Sequence, residues 1–160
     1  MATTLFIHGL ESSNRGTKSV YFREHFPDMI IPNFPGDLDE RMAKLRSLVE
    51  RKKALCLVGS SFGGLMATLF AMEAEGRVTR LILLAPAIHR LNELRDLEAA
   101  SIETPTWIYH GTNDEVIPLT KVRTISEKLF ENLSFHAVND DHFLHSTFKT
   151  LEWQHLLKVP

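Results

Sequence analysis

Cysteine is almost missing from this chain. Cys56 stands alone among 160 residues, so no disulfide can form within it. Its neighbours, Ala54-Leu55-Cys56-Leu57-Val58, are apolar, which marks a buried, inert thiol rather than a reactive one. No apolar window approaches the roughly 20 residues that cross a bilayer. The stretch Met1-Ala2-Thr3-Thr4-Leu5-Phe6-Ile7-His8-Gly9 lacks the basic region and long apolar run of a secretory leader, so a cytoplasmic protein is expected. An excess of either charge is missing too. The formal net charge is -2 and the charges are interspersed, which offers no footing for nucleic acid or an anionic membrane. The most basic run, Glu50-Arg51-Lys52-Lys53, falls where a helix should end and suits its dipole. Repeats, low-complexity segments and linkers are absent, and residues 1–160 are expected to form one domain.

What is present is an alternation of short apolar runs with amphipathic segments. That pattern predicts an α/β fold, a mostly parallel sheet with helices on both faces. The first strand runs from Thr4 to His8, and a helix follows over about Lys18 to Phe26, stopped by Pro27. Met29-Ile30-Ile31 predicts a short strand closed by Pro32. Leu38, Met42, Leu45 and Val49 recur at helical spacing, predicting a helix over roughly Asp39 to Lys52. Later strands are expected at Leu81 to Ala85, Thr106 to His110 and Leu133 to Val138. A helix opening at Pro118 should bury Val122, Ile125 and Leu129, and a C-terminal helix should carry Phe148, Leu151 and Leu156.

At the centre stands Gly59-Ser60-Ser61-Phe62-Gly63-Gly64, with an apolar strand before it and Leu65 to Met72 after it. Gly-x-Ser-x-Gly arises by chance in about one chain in twenty of this length, so its context decides. A buried strand entering a tight turn and leaving it as a helix lifts the serine hydroxyl clear of the sheet. The glycines leave room for the reversal. The helix end beside Ser61 favours negative charge developing on a substrate oxygen.

Parallel strands open their exit loops on one edge of the sheet, and four such loops carry reactive or shaping residues: His8-Gly9-Leu10, Ser61, Asp114 and His142. A free serine hydroxyl is a poor nucleophile near neutrality and needs a base within hydrogen-bond reach. The base in turn needs a carboxylate that fixes its tautomer. The order serine, acid, histidine is that of nucleophile-elbow hydrolases. His145 rivals His142 as the base, and Asp140 or Asp141 rivals Asp114 as its orienting acid. His8 and His110 precede glycines at strand ends and are expected to pack or bond within loops. Two histidines without a third ligand make a poor metal site, and the loop from Gly9 to Gly16 lacks a phosphate-loop lysine. No metal and no cofactor are expected.

Taken together, His8-Gly9, the elbow, His110-Gly111-Thr112-Asn113-Asp114-Glu115-Val116-Ile117-Pro118 and Asp141-His142-Phe143 span nearly the whole chain. In them the chain resembles the α/β-hydrolases, close to the compact single-domain esterases of the YqiA-like group. The resemblance implies Ser61 as nucleophile, His142 as general base and then acid, and Asp114 as orienting carboxylate. It also implies an oxyanion hole made by the backbone N–H groups of Leu10 and Phe62.

Larger members of that superfamily begin with strands that have no counterpart before Thr4, so a trimmed sheet of about six strands is expected. The segment between Pro86 and Pro105 lies where larger members insert a lid domain, and its length leaves room for at most a short helix within Ile88 to Ser101. A shallow, open cleft follows. The implied activity is hydrolysis of carboxylic esters with short or small acyl groups, the partner being a small-molecule ester. An amidase or peptidase with the same residues is the first alternative. A non-catalytic binding protein on a hydrolase fold is the second.

Overall fold

The computed structural model describes residues 2–157. Five strands form one sheet: β1 (Thr3–Ile7), β2 (Leu55–Ser60), β3 (Val78–Leu84), β4 (Thr106–Gly111) and β5 (Leu133–Val138). They lie side by side in chain order and every pair is parallel. The crossovers are α1 (Thr17–His25) and α2 (Leu38–Leu48) between β1 and β2, then α3 (Phe62–Glu73) before β3. A 3-10 turn at Ile88–Arg90 and the single-turn α4 (Leu91–Leu94) precede β4. Finally, α5 (Leu119–Leu129) leads into β5, and a 3-10 turn at Phe148–Thr150 leads into α6 (Trp153–Leu157).

β2 and most of β3 are apolar on both sides because helices cover both faces of the sheet there, whereas the edge strand β5 has no fully buried residue. Side chains alternate across each strand, and the two faces feed two cores. Leu5, Ile7, Leu55, Leu57, Leu81, Leu83 and Ile108 pack with the apolar stripes of α2, α3 and α5. Phe6, Cys56, Val58, Ile82 and Leu84 pack instead with Phe22 of α1 and with Phe148, Trp153 and Leu156. Asp37 caps α2 by accepting from Glu40 N–H at 2.9 Å, and the Glu40 carboxylate reaches back to the Asp37 N–H, which fixes where that helix starts.

The sheet has five strands where about six were expected. Ile30, in the predicted strand, makes one bridge to Leu5, with hydrogen bonds Phe6 N–H to Ile30 O and Ile30 N–H to Thr4 O. Pro27 and Pro32 bracket this segment and leave it too short to extend the ladder. Two helices also differ. The second ends at Leu48, four residues early, so the basic run from Arg51 lies in an exposed turn beyond it. The C-terminal helix is broken at Leu151, whose extended backbone separates the 3-10 turn from α6.

Phe22 is fully buried, its ring 5.0 Å from Phe6, 5.3 Å from Phe148 and 4.8 Å from Trp153. It clamps α1 and the C-terminal segment onto one face. Phe22→Ala should cost about 3–5 kcal/mol in denaturant unfolding. A loss under about 1 kcal/mol would contradict this packing.

Candidate active site

The exit loops of β1, β2, β4 and β5 meet at one edge, and the site is built from them. At the end of β2 the chain turns through Ser61 with φ 54° and ψ -113°, a conformation that costs a non-glycine residue about 1–3 kcal/mol. The surrounding bonds hold it there. Ser61 N–H donates to Leu84 O at 2.9 Å, and Ser61 O accepts from Gly64 N–H and Ala87 N–H, each at 2.9 Å. A side chain at Gly63 would strike the carbonyls of Ile7 and His8, and one at Gly59 would strike Gly63 itself. Only glycine lets α3 start this close to β1.

From that turn Ser61 Oγ lies 3.1 Å from His142 Nε2. His142 Nδ1 lies 2.7 Å from Asp114 Oδ2. A carboxylate accepts only, so Nδ1 carries the imidazole proton and the Nε2 lone pair faces the serine. The Asp114 carboxylate is fully buried, and donors surround it. Val116 N–H and Ile117 N–H donate to Oδ1 at 2.9 and 2.7 Å, and His110 Nε2 lies 3.2 Å from Oδ2. His110 Nε2 also lies 2.8 Å from Ile117 O, an acceptor that fixes its proton on Nε2.

The loops carrying Asp114 and His142 are fastened to each other. A side chain at Gly111 would run into Asp140 O and Asp141 O, so β4 and the loop after β5 touch backbone to backbone. Asn113 N–H donates to Asp140 O at 3.0 Å. The buried Asp140 carboxylate accepts from the N–H groups of Asp141, Ser146 and Thr147, which holds the loop and uses up the carboxylate. Asp141 pairs with His145 at 2.6 Å on the surface, and this bond holds its carboxyl below the usual range. Neither rival aspartate serves His142, and His145 is occupied elsewhere. Lys18 of α1 adds a clasp, donating to Phe143 O at 2.8 Å.

The β1 loop closes the edge. A Cβ at Gly9 would stand 3.6 Å from Ser61 Cβ, so this loop lies against the serine. Phe62 begins α3, and its N–H therefore has no acceptor within the helix. Among the described residues, neither Phe62 N–H nor Leu10 N–H donates a hydrogen bond. His8 is a loop-binding residue. Its Nδ1 lies 2.7 Å from Gly9 O, and its Nε2 accepts from Phe34 N–H at 2.8 Å.

His110, expected to pack or bond within a loop, does bond the loop carbonyl of Ile117 and in addition contacts Asp114. Its position four residues before Asp114, at a strand end, was the available signal. Burial raises the Cys56 thiol to about 12, as an inert cysteine requires. Among the described residues no group of three or more His, Cys, Asp or Glu side chains could hold a metal ion, and no helix is long and apolar enough to cross a membrane. A surface hollow bounded by Tyr21, Phe26, Leu151 and Trp153 lies between α1 and α6, and none of the site residues lines it.

A parallel sheet with this serine turn between β2 and α3 is the α/β-hydrolase fold. Many solved structures share it, and three of them illustrate the likeness. A Xanthomonas campestris protein assigned to the alpha/beta hydrolase superfamily is 23% identical, with a TM-score of 0.77 over 94% of this chain and 93% of its own. An alpha-beta serine hydrolase homologue from Coxiella burnetii is 17% identical, with a TM-score of 0.78 over 99% and 85%. Est1E from Butyrivibrio proteoclasticus, in its complex with ferulic acid, is 17% identical, with a TM-score of 0.74 over 89% and 81%. No curated protein matches the sequence. The chain belongs to UPF0227, described as an uncharacterised protein family, whose profile matches residues 3–100.

Burial holds the imidazoles of His8, His89 and His110 below their ordinary pKa of 6.5. The unfolded chain takes up protons near that pH while the folded chain resists them. Stability is therefore full above about pH 6.5 and is lost as the pH falls below it. The thermal midpoint should drop between about pH 7 and pH 5, and imidazole NMR should find these three rings mostly neutral at about pH 6.5. A flat midpoint with half-charged rings would contradict their burial.

Proposed function

We propose that the protein is a serine hydrolase that cleaves carboxylic esters of short or small acyl groups through an acyl-enzyme on Ser61. The observation that carries this reading is the unbroken chain from Ser61 Oγ to His142 Nε2, at 3.1 Å, and from His142 Nδ1 to Asp114 Oδ2, at 2.7 Å. Ser61 Oγ attacks the acyl carbon and its proton passes to His142 Nε2. Asp114 holds the imidazole in that tautomer and stabilises the imidazolium. The N–H groups of Leu10 and Phe62 receive the oxyanion, a contribution of about 3 kcal/mol for each such donor in other hydrolases.

As the tetrahedral species collapses, the C–O bond to the alcohol breaks and the leaving oxygen takes the proton from His142. Water then attacks the acyl-enzyme, giving its proton to His142, and the acid departs as Ser61 recovers the proton. Three exposed apolar side chains lie on the loops of the site: Leu10 at 51%, Val116 at 63% and Phe143 at 59% exposure. They suit the apolar part of a small ester. The single cysteine, buried and free in β2, suits a reducing cytoplasm, and we place the enzyme there as part of this reading.

A fluorophosphonate probe should label Ser61, and Ser61→Ala should lower turnover of a short-chain ester by about a thousandfold or more. Asp114→Asn should lower kcat on a similar scale, because the amide favours the wrong imidazole tautomer. Folded protein that ignores the probe, or a Ser61→Ala variant with full activity, would contradict the covalent mechanism. An acyl series graded by length, run beside matched anilides, reads the chain length and separates esterase from amidase.

A further inference from the structure

The loop beside the serine is held by a guanidinium without a carboxylate. Arg41 of α2 is only 4% exposed, and among the described residues none of the ion pairs involves it. Its donors all go to backbone carbonyls. Nε reaches Gly36 O at 2.8 Å, and the two terminal nitrogens reach Gly9 O at 3.4 Å and Leu10 O at 3.0 Å. The guanidinium lies 5.2 Å from the centre of the Phe62 ring. Burying a cation without a counter-charge is costly, and an apolar side chain of similar length would fill the space without that cost.

The Gly9–Leu10 peptide gives the charge a use. Gly9 C=O and Leu10 N–H belong to one planar trans unit and point in opposite directions. His8 Nδ1–H, at 2.7 Å, and Arg41, at 3.4 Å, both donate to Gly9 O. Fixing the oxygen fixes the direction of the N–H on the other side, and drawing electron density toward the oxygen makes that N–H a stronger donor. The same guanidinium also holds Leu10 O, so the residue is pinned on both sides of its N–H. The anchor is closed into a ring, because the turn that supplies Gly36 O also supplies Phe34 N–H to His8 Nε2.

We propose that Arg41 is a positioning residue that aims and polarises the Leu10 N–H toward the oxyanion. This rests on the serine hydrolase reading. Arg41 touches neither substrate nor reacting atoms. It acts through one peptide unit, and its effect is confined to the state in which the carbonyl oxygen carries charge.

The test compares wild type, Arg41→Met and Arg41→Lys on one short-chain ester and on a trifluoromethyl ketone analogue that forms a tetrahedral adduct, with circular dichroism as the check on folding. Arg41→Met should lower kcat by about ten- to a hundredfold with KM within about twofold, and weaken the ketone by the same factor. Arg41→Lys keeps the charge but loses the fork that spans three carbonyls, so it should fall between the two. A folded Arg41→Met with wild-type kcat overturns the inference, as does a raised KM with kcat intact, which would make Arg41 a substrate-binding group. Should Arg41→Met fail to fold, Arg41→Lys decides alone, and wild-type kcat in it overturns the inference. Wild-type protein that neither turns over esters nor binds the ketone would sink the hydrolase reading itself, and this inference with it.

Discussion

The contact on which the site depends is the approach of α3 to β1 at Gly63, where the helix backbone lies against the carbonyls of Ile7 and His8. It sets the distance between the β1 loop and Ser61, and so whether the N–H groups of two separate chain segments can share one oxygen. The parallel order of the sheet then does the rest. With β4 paired to β3 and β5 paired to β4, all parallel, their exit loops reach the edge already occupied by Ser61. Gly111 against Asp140 repeats the same device, backbone on backbone, at the β4–β5 end of the sheet. Glycine at both places trades local chain entropy for close approach.

Charge is used sparingly around this edge, and mostly on the main chain. Arg41 and Lys18 come from different helices, and each donates to carbonyls of a loop that carries a site residue. Asp140 does the converse with three N–H groups. Asp141 faces a side chain only on the surface, at His145. Asp114 is a buried carboxylate aimed at a side chain that moves a proton in the proposed reaction, and two backbone donors and His110 hold it in place. The loops are thereby held by hydrogen bonds to the main chain, without an internal disulfide.

Much of this was legible in the sequence, because parallel strands buried on both faces must be apolar throughout, and helices covering them must show a stripe. The strand from Leu133 to Val138 was read to the residue, and the alternation of elements indicated the common edge. Ser61, Asp114 and His142 could be picked out because each follows a strand, and the elbow glycines admit few other conformations. The short segment around Ile30 misled, since β-branched residues between prolines read as a strand whether or not a neighbour has room to pair beyond one residue. The break at Leu151 is a tertiary effect, with Phe148 and Trp153 both drawn into the core around Phe22. Arg41 was invisible for a different reason. On a helix surface an arginine is ordinary, and nothing local says that its guanidinium ends among carbonyls about thirty residues upstream.

The central claim is that Ser61 becomes covalently acylated during turnover. Rapid acid quench of the wild-type protein with an activated short-chain ester, followed by mass spectrometry of its peptides, observes that species directly. The account predicts an added acyl group on the peptide containing Ser61 within the first turnover, lost again as the acid is released. Steady turnover with no adduct, or with the acyl group on another residue, would contradict it.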